Sequence, residues 1–130
     1  MLILVAHGSR DPAWRASVES MVRTLRDEVG RDRVRLAYME LATPTLRDVV
    51  EELAQEGIPD AAVLPLFLTV EGHVDRDIRP VVGELRAAFP TLKLEMLPPM
   101  GHQPEFRRAL GKVAERVASG QDRKEEVARP

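Results

Sequence analysis

The alternation of short apolar runs with longer helical stripes constrains the fold of this chain more than any other feature. Four runs predict β-strands, at residues 2–6, 34–39, 61–68 and 93–97. After each run, apolar residues recur every three or four positions, as they do on one face of a helix. Strands that alternate with helices form parallel sheets through right-handed crossovers. We therefore expect an α/β fold, with a four-stranded parallel sheet and helices on both faces.

Proline, glycine and capping residues mark where the predicted helices begin and end. Aspartate or threonine can cap the free N–H groups of a first turn, where proline is also tolerated, and glycine often follows a last turn. In the third helix the apolar stripe of Val81, Val82, Leu85 and Phe89 is expected to face the core, and the last helix carries Phe106, Leu110, Val113 and Val117. The start signals are Asp11 with Pro12, Thr43 with Pro44, and Asp77 with Pro80; the stop signals are Gly30 and Gly57.

Length and charge narrow the architecture and the classes of partner. The 130 residues suffice for one domain, which we place at 1–119, followed by a charged tail at 120–130 that is poor in apolar residues. The 19 basic and 21 acidic side chains give a formal net charge of −2, which argues against nucleic acid or an anionic membrane as partner. No glycine-rich phosphate loop is present, so nucleotide use is not indicated.

Cysteine usage and the apolar start bear on metal ligands and location. The chain has no cysteine, so a metal would have to be held by histidine and carboxylate. The opening run MLILVA is too short for the apolar region of a signal peptide, and no run approaches the roughly 20 apolar residues that a membrane-spanning helix needs. We therefore expect a cytoplasmic protein that does not associate with membranes.

Three residues that can bind a metal follow three successive predicted strands. His7 comes after the first strand, Glu40 after the second and His73 just past the third, at intervals of 33 residues. The carboxyl ends of parallel strands meet at one edge of the sheet, which is where open α/β sheets bind ligands. We predict that two imidazoles and a carboxylate converge there in one metal-handling active site.

Each of these residues alone has an ordinary structural explanation. A single histidine at a strand end is more often structural than functional, and glutamate is usually a solvated surface residue. Their shared edge is what favours a site. His102 is interpreted as a loop histidine, and a Ser9 nucleophile is disfavoured because adjacent residues at a strand end point in different directions. Gly8 and Gly72, beside the two histidines, could serve a positive φ or a close backbone approach.

The segments that carry these residues resemble a known family. They are the opening LILVAHGSRDP, the second-strand segment AYMELATPTL, the third-strand segment PLFLTVEGHVDRDIRP and the fourth-strand loop PPMGHQP. Together they are similar to the small, single-domain sirohydrochlorin chelatases of the CbiX type, which are related to class II chelatases. The resemblance covers everything except the tail. It implies the chelatase fold, whose four-stranded parallel sheet is like half of a flavodoxin-like domain.

The resemblance also implies an activity and roles for individual residues. A member of this family would insert a divalent metal into sirohydrochlorin or a related tetrapyrrole without ATP, in cobalamin or siroheme biosynthesis. His7, His73 and Glu40 match the residues that bind the metal and act on the macrocycle. Because the substrate carries many carboxylates, the implied substrate-binding residues lie near the same edge: Ser9, Arg10, Gly72, Arg76 and Arg79.

The resemblance further implies the partners of the chain. The metal would be a substrate, Co²⁺, Fe²⁺ or Ni²⁺, and no other cofactor is expected. Family members of twice this length contain two such domains, so a homodimer is expected here. One departure is Glu71, which stands where many members have a second glycine. Its carboxylate could touch the metal or point to solvent, and we expect it to point to solvent.

Two other classes of protein fit parts of the pattern. A non-catalytic carrier of metal or tetrapyrrole would use the same sheet edge but would show no insertion above the uncatalysed rate. An unrelated α/β binding module would hold the histidines for structural reasons and would give no metal absorbance bands on titration. The placement of His7, Glu40 and His73 favours the enzyme over both.

Overall fold

A computed structural model describes residues 1–69 and 74–120 of the chain, with the side chains of 74 and 75 left out. The strands are β1 (Leu2–Ala6), β2 (Val34–Tyr38), β3 (Asp60–Pro65) and β4 (Lys93–Met96). The helices are α1 (Pro12–Val29), α2 (Leu46–Gln55), α3 (Arg79–Ala88) and α4 (Pro104–Ala118). Short helical turns precede β2 (Arg31–Arg33), α3 (Val74–Ile78) and α4 (Met100–His102).

The four strands form one parallel sheet in the order β2-β1-β3-β4. β1 is central, with Leu2 paired to Val34 on one side and to Ala62 on the other. A strand between two neighbours and two helical layers must be apolar on both faces, which explains its continuous apolar run. The predicted α/β fold with a four-stranded parallel sheet is confirmed.

The alternation of side chains along β1 divides the core into two layers. Ile3 and Val5 point into a layer completed by α2 and α3, and both are fully buried. Leu4 and Ala6 point into the opposite layer, which α1 closes with Val22. The helices therefore cover both faces of the sheet, as expected.

The first two helices begin on capping residues close to the predicted ones. The Asp11 carboxylate accepts a hydrogen bond from the Ala13 N–H at 2.9 Å, and Pro12 opens α1. α2 begins slightly later than its predicted signal at 43–44, because the cap is Thr45. The Thr45 hydroxyl and the Asp48 carboxylate each accept the other residue's backbone N–H, which completes a capping box.

Three other expectations are corrected. Asp77 is not the cap of α3, because residues Val74–Ile78 already form a π-helical turn that runs directly into the helix. Pro80 does lie in the first turn. β3 ends at Pro65 rather than at 68: proline has no N–H to donate, and the pairing with β1 continues only one step further, through the Leu66 N–H and the Val5 carbonyl oxygen at 2.8 Å. Val81 is not a core residue: it is 36% exposed and faces the pocket described below.

The last helix differs from the others in what it buries. α4 has no buried residue, and its apolar side chains Leu110, Val113 and Val117 are about half exposed. Most of its apolar stripe therefore lies on the surface of the described part of the chain. No helix within residues 1–69 and 74–120 is both long enough and apolar enough to cross a membrane.

Candidate active site

A pocket of about 460 Å³ opens at the carboxyl edge of the sheet. It lies beside the ends of β1 and β2, between the first turns of α2 and α3. Open parallel sheets bind ligands in the crevice outside the carboxyl ends of their strands. The described residues that line the pocket are Val5, His7, Tyr38, Met39, Glu40, Thr45, Leu46, Arg47, Arg76, Asp77, Ile78, Pro80 and Val81.

His7 enters this pocket directly from β1. Its side chain is exposed, but its ring packs on the buried Phe67, with 4.2 Å between ring centroids and 35° between planes. Phe67 follows β3, and its carbonyl oxygen accepts a hydrogen bond from the Gly101 N–H at 2.9 Å. An aromatic side chain held by the core thus supports the imidazole from one side.

Glu40 reaches the same pocket from the end of β2. Its N–H donates to the His7 carbonyl oxygen at 3.1 Å, so the β1–β2 pairing continues one step beyond the strands. Gly8 makes this approach possible. It has a φ of 99°, and a methyl group at its Cα would overlap the Glu40 carbonyl oxygen. Gly8 therefore has both a positive φ and a close approach to another backbone segment, the two roles for which glycine is suited.

Leu41 continues this loop in an uncommon conformation. Its φ of 63° lies in the left-handed region, where a branched residue costs about 1 kcal/mol. Half of its side chain is exposed beside Glu40. No local sequence signal indicates this conformation, since glycine or asparagine is the usual choice.

The predicted substrate-binding residues fall into different places. Arg76 lines the pocket. The Ser9 hydroxyl accepts a hydrogen bond from the Asp11 N–H at 3.0 Å, which places it in the turn before α1. Arg10 is exposed in the same turn and Arg79 opens α3, and neither is among the described lining residues. Gly72 lies outside the described residues.

The metal ligands proposed from the sequence are only partly described. The described portion brings His7 and Glu40 to one pocket, whereas His73 and the neighbouring Glu71 lie outside the described residues. Within the described ranges no group of three metal-binding side chains is close enough to hold an ion. His102 is exposed at the end of the turn before α4 and is not one of the described residues of the pocket wall.

Tyr38 borders the pocket at the end of β2, but its neutral side chain is buried in the layer that α1 closes. Burial and the neighbouring Glu19 carboxylate raise the pKa of Tyr38 above its ordinary value of 10.0. The phenol hydroxyl donates to Glu19 Oε1 at 3.3 Å. This hydrogen bond holds the hydroxyl toward α1, in the layer opposite to α2 and α3.

Sequence reasoning missed Arg47, Asp77 and Phe67 as site residues. A charged residue in the first turn of a helix is usually solvated. The sequence around Arg47 therefore gives little indication of a site beyond its position a few residues after Glu40. Asp77 was interpreted as a cap. The role of Phe67 depends on a contact between the ends of two different strands, which no local pattern reports.

Comparison with known proteins places this chain in a family. The CbiX family profile matches residues 1–117. A sirohydrochlorin cobaltochelatase from Methanopyrus kandleri is 34% identical over 82 residues, which cover 63% of this chain and 57% of that protein. A chloroplastic sirohydrochlorin ferrochelatase from Arabidopsis thaliana is 29% identical over 100 residues, 77% of this chain and 44% of that protein.

A solved structure has the same architecture over nearly its full length. A CbiX protein of cobalamin (vitamin B12) biosynthesis from Marinobacter aquaeolei VT8 superposes with a TM-score of 0.78 at 28% identity, covering 91% of this chain and 96% of that one. The match thus spans little more than half of the Methanopyrus protein and under half of the Arabidopsis protein, but almost all of the Marinobacter chain.

Proposed function

The chain belongs to the CbiX family, and we propose that it is a chelatase that inserts Co²⁺ or Fe²⁺ into sirohydrochlorin or a related tetrapyrrole. The observation that carries the proposal is the meeting of His7 and Glu40 in one open pocket at the carboxyl edge of the sheet. The product would serve cobalamin or siroheme biosynthesis. The reaction would need no nucleotide, and its site of action in the cytoplasm stays a prediction.

Metal insertion asks two things of a protein. The macrocycle must lose two pyrrole N–H protons, and the metal must exchange its water shell for ring nitrogens. A neutral imidazole binds borderline first-row ions and has an unperturbed pKa of about 6.5, so it can also accept a proton near neutral pH. The one free lone pair of a neutral imidazole serves only one partner at a time, so His7 can hold the metal or take a proton, in turn and not at once.

Glu40 would complement the imidazole. A carboxylate adds negative charge that offsets the divalent ion and is a second acceptor for protons that leave the ring. The backbone hydrogen bond between Glu40 and His7 keeps the two loops at a fixed distance. We propose His73 as the third member of this set, on the strength of its position in the GH motif of the matched family.

The apolar wall of the pocket suits the ring itself. Met39 and Val81 are partly exposed and offer a surface that part of a flat macrocycle can cover, above the buried side chains of Val5, Leu46 and Ile78. Packing against such a surface would hold one face of the ring toward His7. Imidazole and carboxylate bind cobalt, iron and nickel alike, so all three metals are compared in the assay.

An anaerobic insertion assay tests the proposal. Sirohydrochlorin is mixed with Co²⁺, Fe²⁺ or Ni²⁺, and conversion to the metallated product is followed by absorbance with and without the protein. A chelatase raises the rate for at least one metal well above the uncatalysed rate. A carrier binds the ring or the metal without raising the rate, and that result would replace this proposal with the carrier alternative.

We also propose that the protein works as a homodimer. The family resemblance implies that members of twice this length contain two such domains, so a chain of this length would pair with a second copy of itself. The exposed stripe Leu110, Val113 and Val117 on α4 offers apolar surface for a second copy. Light scattering on the eluting protein distinguishes the mass of a dimer from the 14.5 kDa of one chain.

A further inference from the structure

Two arginines enter the pocket from different elements. Arg47 lies in the first turn of α2, and Arg76 lies in the helical turn before α3. Both side chains are exposed, and among the described residues neither forms an ion pair or a hydrogen bond. Two guanidinium groups thus have their donors available toward the same space.

The arginines at the other edge of the sheet behave differently. A second cavity of similar volume, about 480 Å³, lies beside the start of β2 and is also rich in arginine. There Arg26 donates to the Val34 carbonyl oxygen at 3.1 Å, Arg31 lies 3.6 Å from Asp27, and Arg35 lies 3.6 Å from Glu56. Most guanidinium groups of that cavity are already used within the protein, whereas those of the active-site pocket are not.

The surroundings of Arg47 and Arg76 indicate what they would bind. The same pocket has an apolar wall and two carboxylates, Glu40 and Asp77, so its charged side chains are balanced before a ligand arrives. A divalent metal adds two positive charges. A ligand that is flat and apolar in its middle could pack on the apolar wall. Carboxylates at its edge could bind the two arginines and offset the charge of the metal.

We propose that Arg47, together with Arg76, binds carboxylate groups at the periphery of the macrocycle and selects carboxylate-rich tetrapyrroles over neutral ones. Arginine suits this task because its planar fork donates two parallel hydrogen bonds to one carboxylate. The two arginines approach from separate elements, so they engage different substituents and fix the rotation of the ring above His7. The inference rests on the proposed function for the identity of the ring.

Two variants of Arg47 separate charge from geometry. Arg47→Met keeps most of the aliphatic length and loses the charge, whereas Arg47→Lys keeps the charge and loses the bidentate fork. Arg23→Met, in the second cavity, is the matched control. The Kd of each protein for metal-free sirohydrochlorin is measured by fluorescence, and KM and kcat are measured in the insertion assay.

We expect Arg47→Met to raise both Kd and KM by about tenfold, the usual effect of one charge-assisted hydrogen bond, with kcat changed less than twofold. The Kd and KM of Arg47→Lys should lie between those of the wild type and Arg47→Met, and those of Arg23→Met should equal the wild-type values. With the methyl esters of sirohydrochlorin, wild type and Arg47→Met bind equally. Equal Kd values for the free acid in wild type and Arg47→Met, with both folded by circular dichroism, would overturn the inference.

The outcomes also separate this inference from the proposed function. If the wild type binds sirohydrochlorin in an Arg47-dependent way but inserts no metal, the chelatase proposal fails and the carboxylate site stands. If the wild type inserts metal and Arg47→Met does so with unchanged KM and Kd, the chelatase proposal stands and the carboxylate site fails.

Discussion

The Glu40 N–H donates a hydrogen bond to the His7 carbonyl oxygen at 3.1 Å, so the loops after β1 and β2 are joined at the candidate site. Both residues carry groups that can bind a metal, and both line the same pocket. The distance between their backbones is set by the sheet's own hydrogen-bond ladder. Changes that separate the two loops should therefore affect the site more than they affect the rest of the fold.

Gly8→Ala should be strongly damaging. The new methyl group would overlap the Glu40 carbonyl oxygen, and alanine disfavours the φ of 99°. We expect a loss of at least about 2 kcal/mol in the free energy of unfolding together with a loss of insertion. Urea unfolding and the insertion assay measure the two effects.

Gly111→Ala is the matched control for that substitution. Gly111 lies inside α4 with nothing within 4 Å of an added Cβ, so alanine should stabilise the helix by about 0.5–1 kcal/mol. If Gly8→Ala were as stable and as active as Gly111→Ala, the close approach between Gly8 and Glu40 would have no importance for the site.

Phe67 should act as a support for His7. Loss of the aromatic ring in Phe67→Leu removes a stacking contact of about 0.5–1.5 kcal/mol, which corresponds to a few-fold weaker metal binding. Phe67→Tyr keeps the ring and should restore binding. Metal titration of the three proteins checks this, and a Phe67→Leu affinity equal to that of the wild type would contradict it.

The ionisation of the Tyr38 phenol should differ between the folded and the unfolded protein. Its folded-state pKa is raised above 10.0, so the stabilisation from its neutral form is complete below about pH 10 and is lost as the pH rises through the folded-state pKa. The chain has a single tyrosine, so tyrosinate absorbance reports this residue alone. We expect a higher midpoint in the folded protein than in urea.

Glu19→Gln tests the cause of that shift. Burial is the larger cause of the shift, and the Glu19 carboxylate adds to it against the opposing charge of Arg15. Neutralisation of Glu19 should therefore lower the Tyr38 midpoint part of the way. An unchanged midpoint in Glu19→Gln would attribute the whole shift to burial.

The apolar stripe of α4 should hold the proposed homodimer together. Val113→Glu places a charge in the middle of the stripe, and we expect it to yield monomers by light scattering. Met21→Glu is the matched control, because Met21 is a 62% exposed apolar residue on α1, away from the stripe. A dimer that persists in Val113→Glu would rule out α4 as its interface.

Much of the fold could be predicted because its signals are local. The apolar run of β1 ends directly at His7, and that boundary alone places the imidazole at the carboxyl edge of the sheet. The position of Glu40 followed from the same reasoning one strand further along. The structure places these two residues in one pocket, whereas their chemical roles and the whole contribution of His73 stay predictions.

Other features depend on contacts that no sequence window contains. Asp77 is of a residue type that often caps helices, but the turn that contains it is already helical, so no free first turn is left for it to cap. The contact of Phe67 with His7 joins the ends of two strands that are 60 residues apart in the sequence. Arg47 was overlooked because the pocket that surrounds it forms only when α2 and α3 pack on the same face of the sheet.

The insertion rate of His7→Ala beside that of His102→Ala tests the central claim most directly. Both variants remove an exposed imidazole, but only His7 lines the pocket among the described residues. With the preferred metal and sirohydrochlorin under anaerobic conditions, we expect His7→Ala to lose about 100-fold or more in kcat/KM and His102→Ala to match the wild type. A folded His7→Ala protein with the wild-type rate would contradict the account.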